Sequence, residues 1–172
     1  KSTTIRMLLT LIDPDEGEIE IFGMNLRQHR KEILKRTGAV IERPDLYKYL
    51  SALDNLRIFA RLSGMKASRK QLMDQLEMVG LAERANSSVK TYSQGMKQRL
   101  GLACALVHDP GLIILDEPFS GLDPVNANLI KDEIYRLAQK GTTIIFSTHR
   151  MEQVEEICNH IVLVNKGQKI LD

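Results

Sequence analysis

The run Leu112-Ile113-Ile114-Leu115-Asp116-Glu117-Pro118 constrains this chain more than any other stretch. Four aliphatics with no polar residue among them read as a strand buried on both faces, the kind found in parallel sheets covered by helices. The two carboxylates then emerge at the carboxyl edge of that sheet, where open α/β folds bind their ligands. An acid in such a place can also be an ordinary helix cap, so the run takes its chemical meaning from its surroundings. Those are ordered. Tyr92-Ser93-Gln94-Gly95-Met96-Lys97-Gln98-Arg99 lies upstream, Ser120-Gly121-Leu122-Asp123 follows at once, and Ser147-Thr148-His149 ends the next aliphatic run.

The rest of the chain alternates between helix-like and strand-like periods. Residues 1 to about 11 read as a helix with Ile5, Leu8, Leu9 and Ile12 on one face. Asp13-Pro14-Asp15-Glu16-Gly17 is a turn, and Glu18 to Phe22 alternates as a half-exposed strand. A polar helix over about residues 26–36 precedes the strand Gly38-Ala39-Val40-Ile41. Ser51-Ala52-Leu53-Asp54 has the spacing of a capping box, with Asp in place of Glu, and opens a helix to about Leu62. Ser68-Arg69-Lys70-Gln71 opens another that ends near Gly80. Ser93 to His108 is a long helix with Met96, Leu100, Ala103, Cys104 and Val107 on one face. Asp123-Pro124 opens a helix carrying Val125, Leu129 and Ile130. Residues 142–147 and 161–164 are two further aliphatic strands, with a helix over 150–158 between them. Such alternation predicts an α/β fold with a mostly parallel sheet flanked by helices. The largely helical stretch from about 50 to 90 reads as a subdomain inserted into a single domain of 172 residues.

Taken in order, the motifs resemble those of the nucleotide-binding domain of ABC transporters, a P-loop NTPase, from the first residue to nearly the last. Lys1-Ser2-Thr3-Thr4 looks like the end of the Walker A loop, and Asp116-Glu117 like Walker B with the catalytic glutamate. Ser93 and Gly95 fit the signature motif, Ser120 to Asp123 the D-loop, and His149 the switch histidine. The resemblance implies ATP and Mg²⁺ as cofactors. Lys1 then meets the β- and γ-phosphates with Thr3 beside it, Ser2 and Asp116 serve the metal, and Glu117 orients the attacking water, assisted by His149. It also implies a second ATPase subunit, packed head to tail, whose γ-phosphate is met by Ser93 and Gly95 at a helix start. Asp123 joins the nucleotide-binding set through the D-loop. Glu42 stands where the family has the Q-loop glutamine, and offers an oxygen to Mg²⁺ or water together with an extra negative charge.

The sequence departs from the family at several places. Tyr92, Gln94 and Met96 replace the usual Leu, Gly and Gln of the signature. The chain opens at the lysine of G-x-x-x-x-G-K-[ST], so it reads as part of a longer cassette whose glycine loop precedes Lys1. Arg43 to Leu56, with Tyr47, Tyr49 and Leu50, looks like the surface that receives a short helix of a membrane-spanning permease subunit. The resemblance is nearest to stand-alone ATPase subunits of bacterial drug and antibiotic-peptide exporters. It implies a cytoplasmic protein, peripheral on the inner face of the cell membrane.

Composition narrows the classes. A net charge of +2 does not suggest a general polyanion binder, and 5% aromatics without Trp leave no stacking platform for single-stranded nucleic acid. Cys104 and Cys158 fall on apolar sides of predicted helices, as core thiols do. No apolar run reaches the roughly 18 residues of a membrane helix. His29, His108 and His160 lack the placement of His149 and read as solvated or structural.

Two other classes compete. A soluble ABC ATPase of translation would join two cassettes, and one of DNA repair would insert coiled coils or zinc sites between the Walker motifs. Lys1 to Asp116 has neither heptads nor a Cys cluster. A non-catalytic nucleotide-binding module would lack Glu117 or His149, and both are present. Because backbone amides of the glycine loop cradle phosphates, residues 1–172 alone are expected to bind ATP poorly and to lack turnover. Calorimetric ATP titration of this segment and of one extended at its N-terminus checks this; equal affinities would contradict it.

Overall fold

A computed structural model describes residues 1–171 of the chain. The first helix, α1 (Ser2–Leu8), buries Ile5 and Leu9 against the sheet. It is shorter than its apolar pattern suggests. Thr10 takes a left-handed conformation (φ 56°), and the amides of Thr10 and Leu11 turn back to the carbonyls of Met7 and Arg6. This Schellman-type ending closes the helix and leaves Ile12 40% exposed, off the face the sequence pattern gives it.

The next segment is also more broken than its pattern. Strand β1 (Glu20–Ile21) pairs antiparallel with β2 (Met24–Asn25) around Phe22-Gly23, both at positive φ, a primed hairpin turn. The polar helix shrinks to α2 (Arg30–Lys35), because the Asn25 side chain accepts the amides of Arg27 and Gln28 and holds that stretch as a turn. Strand β3 (Thr37–Val40) follows.

From residue 52 to 91 the helices and 3-10 turns are joined by short loops, and Ser88 makes an isolated antiparallel bridge to Ser51. Ser51 caps α3 (Ala52–Leu62), but the short Asp54 carboxylate takes the Ser51 hydroxyl at 2.6 Å rather than the backbone amide of a reciprocal box. The longer Gln71 completes that box with Ser68 at the start of α4 (Arg69–Met78). Helix α5 (Gln94–Leu106), capped by Ser93, supplies Leu100, Ala103 and Cys104 to a core shared with Leu53, Leu56, Leu72 and Leu76. The Arg99 guanidinium donates to the carbonyls of Val79 and Gly80 and ties α5 to the end of α4.

Strand β4 (Leu112–Asp116) is buried along its whole length. Helix α6 (Pro124–Gln139) buries Ile130 and Ile134 but leaves Val125 and Leu129 exposed. It leads to β5 (Thr143–Ser147), and the three strands form a parallel sheet in the order β3-β4-β5. This is the α/β architecture expected from the alternating pattern. Helix α7 (Met151–Ile157) is followed by β6 (Leu163–Asn165), which does not join the sheet. It turns back on β7 (Gln168–Leu171) as a separate, largely exposed hairpin, so the run at 161–164 is not a further parallel strand. Cys104 is buried in the core, and burial pushes its thiol pKa up. Cys158 is half-buried at the end of α7 rather than on its apolar side. Among the described residues, no helix is long and apolar enough to cross a membrane.

The sheet and α5 meet at backbone distance. A Cβ on Gly38 would stand 2.3 Å from the Ala105 carbonyl oxygen, a main-chain atom that cannot swing aside. Gly38→Ala should therefore cost about 2–3 kcal/mol by overpacking. Urea unfolding of the variant and its parent checks this, and an unchanged midpoint would contradict it.

Candidate functional site

The sheet register assembles the site. Val40 lies beside Leu115, and Leu115 beside Phe146, so Glu42, Glu117 and Thr148 each stand two residues past one paired row at the carboxyl edge. Asp116 pairs with Ser147 in the last row of β4 and β5. It is 2% exposed, and its Oδ1 accepts the Ser147 hydroxyl at 2.5 Å. That hydroxyl also accepts the Glu117 amide at 3.1 Å, so one serine braces both acids.

Glu117 has φ 49° and Glu42 has φ 54°. A left-handed conformation costs a side-chain-bearing residue about 1–2 kcal/mol, and such strain gathers at functional sites. Here the two strained residues are the acids at the ends of β3 and just past β4. Downstream, Phe119 is buried and packs edge-on against Phe146 at 5.9 Å, which anchors the turn after Glu117 on β5.

Glu117 Oε2 lies 2.9 Å from His149 Nδ1. The turn carrying His149 is held by Thr148, whose hydroxyl donates to the buried Gln153 amide oxygen and accepts the Arg150 amide. Lys1 Nζ donates to the Thr148 carbonyl at 2.5 Å. Ser2 is the first residue of α1 and is half-buried, whereas Thr3 is exposed. The first intrahelical bond runs from the Ile5 amide to the Lys1 carbonyl, which leaves the amides of the first turn free to face an anion. Glu42 is engaged elsewhere: its Oε1 is held by Arg6 of α1 at 2.7 Å.

Ser93, Gly95 and Asp123 form a second group. The Ser93 hydroxyl accepts the Met96 amide as the cap of α5. Asp123 caps α6, and its two carboxylate oxygens accept the Asn126 amide and the Asn126 side-chain nitrogen. Those bonds, the backbone one first, hold the Asp123 carboxyl below the usual range. Among the described residues, no hydrogen bond or ion pair joins Ser93 or Gly95 to Lys1, Asp116, Glu117 or His149. The Tyr92 departure has a packing reason: its ring is buried and its hydroxyl donates to the Arg84 carbonyl at 2.7 Å.

The first group suits a magnesium nucleotide. Hydroxyl and carboxylate oxygens are the hard ligands Mg²⁺ prefers, with phosphates and water completing its shell. Among the described residues, the side-chain hydrogen bond to Asp116 is to Oδ1, which leaves Oδ2 for the metal or its water. Sequence reasoning missed Ser147, Thr148, Arg6 and Asn126 as contributors. Ser147 stood inside a motif, but only the register of β4 and β5 shows that it braces Asp116.

A second feature is a groove of about 460 Å³ just past β3, walled by Arg43, Leu46, Tyr47, Phe59, Leu62 and Cys104. Tyr49, 83% exposed, lies in the neighbouring loop.

Removing the Ser147 hydroxyl leaves a buried carboxylate oxygen without its donor. Ser147→Ala should lower stability by about 1–3 kcal/mol, measured by denaturant unfolding. A change below about 0.3 kcal/mol would show that the bond gives Asp116 no support.

Comparison with known proteins identifies the family and the fold. The family model described as "ABC transporter" matches residues 1–120. The chain is 44% identical over 170 residues to the bacitracin transport ATP-binding protein BcrA of Bacillus licheniformis, covering 98% of this chain and 55% of that protein. It spans about half the length of the curated relatives it matches. A solved ATP binding subunit of an ABC transporter superposes with a TM-score of 0.86 at 32% identity, covering 97% of this chain and 70% of that one. The ATP-binding cassette MJ0796, solved as a dimer in a post-hydrolysis state with ADP and Pi, superposes with a TM-score of 0.78 at 26% identity, covering 88% and 70%. With its P-loop-type parallel sheet and its ordered motifs, the chain belongs to the ABC transporter family, in the ATP-binding domain.

Proposed function

We propose that this chain is the ATP-binding and ATP-hydrolysing part of an ABC transporter subunit that powers export through a separate membrane-spanning permease subunit. The observation that carries this reading is the Glu117–His149 contact of 2.9 Å beside the buried Asp116, all at the carboxyl edge of the sheet. ATP, when bound with Mg²⁺, supplies the γ-phosphoryl group that water attacks. Lys1 and the first-turn amides of α1 bind its phosphates, and Lys1 exchanges the Thr148 carbonyl for phosphate oxygen. Ser2 and Asp116 would hold Mg²⁺, which would neutralise phosphate charge, and Glu42 would offer a further oxygen. Glu117 accepts a hydrogen bond from the attacking water and orients it, and His149 fixes the Glu117 carboxylate. Thr3 lines the phosphate site from the same helix.

The domain is single, with residues of about 50–90 as its inserted helical subdomain. It acts as a head-to-tail dimer, in which Ser93 and Gly95 meet the opposite subunit's γ-phosphate and Asp123 borders the same interface. Two observations support the dimer: Ser93 and Gly95 lie apart from the Lys1–Asp116 group, and the related MJ0796 is dimeric. In this reading the groove beside Arg43 and Tyr47 receives a short helix of the permease, and the protein works at the cytoplasmic face of the membrane. Export is favoured by the Nod factor export ATP-binding protein I of Cupriavidus metallidurans, 38% identical to this chain. No nucleic acid is involved.

Glu117→Gln tests this reading in the full-length protein. It should retain ATP binding, lose turnover by at least about 10²-fold, and accumulate as an ATP-bound dimer on size exclusion. Hydrolysis at the parent rate would move the catalytic role away from Glu117.

A further inference from the structure

Gly95 sits in the first turn of α5 with ordinary helical backbone, where alanine is the better helix former and glycine needs a reason. The reason is Asn126. A Cβ on Gly95 would stand 2.6 Å from Asn126 Cγ, 2.8 Å from its Oδ1 and 2.9 Å from its Nδ2. The whole amide is in the way. An asparagine end can usually swing aside, but this one donates from Nδ2 to Asp123 Oδ2 at 2.5 Å, while its backbone amide donates to Asp123 Oδ1 at 3.0 Å. Moving it releases the side-chain bond to the Asp123 carboxylate. The starts of α5 and α6 are thus coupled through one side chain, with Gly95 on one side of the amide and Asp123 on the other.

We propose that Asn126 is a positioning residue that ties the start of α5 to the loop ending at Asp123, so that whatever contacts Ser93 and Gly95 also sets the segment following Glu117. That segment is short. Glu117 accepts the Ser120 amide at 3.0 Å, and Phe119 is anchored on Phe146, so displacement at Asp123 has only Ser120 to Leu122 in which to dissipate. Asn126 touches neither phosphate nor metal in this account; it acts through Asp123. The inference rests on the reading of Ser93 and Gly95 as the site for the opposite subunit's γ-phosphate. It adds that a glycine is required there by a neighbour in its own chain, and that occupancy of that site is communicated to Glu117.

The test uses Gly95→Ala, Asn126→Ala and the double variant in the full-length protein, each also combined with Glu117→Gln to trap dimers. Gly95→Ala should weaken ATP-dependent dimerisation at least tenfold, and it should speed amide exchange of Ser120 to Asp123 at least tenfold without nucleotide. The double variant should regain dimerisation, because the clashing amide is gone, while its loop exchange stays as fast as in Asn126→Ala alone, because both lack the bond to Asp123. Rescue by the second truncation assigns the dimerisation defect to the Asn126 amide and not to general damage, and the exchange readout reports the coupling to Asp123. Asn126→Ala alone should dimerise but hydrolyse ATP about threefold to tenfold slower. A double variant that dimerises no better than Gly95→Ala would overturn the proposal. If Glu117→Gln protein forms no ATP dimer, the sandwich reading fails instead. The exchange arm needs no dimer and still decides, since a loop unmoved by Gly95→Ala removes the coupling.

Discussion

The pairing of β4 with β5 on one side and β3 on the other is the constraint on which the rest depends. β4 has no exposed residue, so its aliphatics must be covered on both faces, by α1 and the Ile5–Leu9 cluster on one and by α5 and α6 on the other. Shifting its register by one residue would exchange those faces and carry Asp116 out of line with Ser147. The chemistry at the strand end is therefore secured by burial several residues away. Acid, serine brace and neighbouring histidine come together because three parallel strands end at one edge.

That edge concentrates features that would be costly elsewhere. Asp116 is a buried carboxylate, and Glu42 and Glu117 take left-handed backbone. Each is answered locally: Ser147 donates to Asp116, Arg6 pairs with Glu42, and the Glu117 amide bonds both the hydroxyl and the carbonyl of Ser147. The Arg6–Glu42 pair is exposed on both sides, so it contributes little to stability. Its interest is positional. It neutralises the Glu42 charge just past β3, and it does so from the helix whose start carries Lys1 and Ser2.

The helical portion is organised around α5, which contributes to two clusters at once. Its Leu100, Ala103 and Cys104 face α3 and α4, while Leu102, Ala105 and Leu106 face the sheet. The start of this helix carries Ser93 and Gly95, so the second group of site residues is mounted on the element that joins the two cores. Gly38 and Gly101 allow close contact, with Ala105 backbone and Pro44 respectively. The groove beside Arg43 lies where those cores meet, which makes it a surface sensitive to any change in their packing.

The sequence by itself determined the α/β class, the family, the two long helices that begin at Ser93 and Asp123, and the acids at the end of β4. These are local signals: an aliphatic run with a polar end, caps with their characteristic residues, and motifs whose order along the chain is visible without coordinates. Tertiary structure decided what depends on partners distant in sequence. Ser147 as the brace of Asp116, Thr148 as the carbonyl facing Lys1, and Arg6 as the holder of Glu42 all require strand register or helix placement. It also decided where the patterns failed. Ile12 fits the face of α1 by periodicity, but a left-handed Thr10 ends the helix first, and the run at 161–164 pairs with β7 because a tight turn at Lys166-Gly167 brings that partner closer than the sheet. Periodicity records which residues could be buried; which of them are buried depends on where the chain turns.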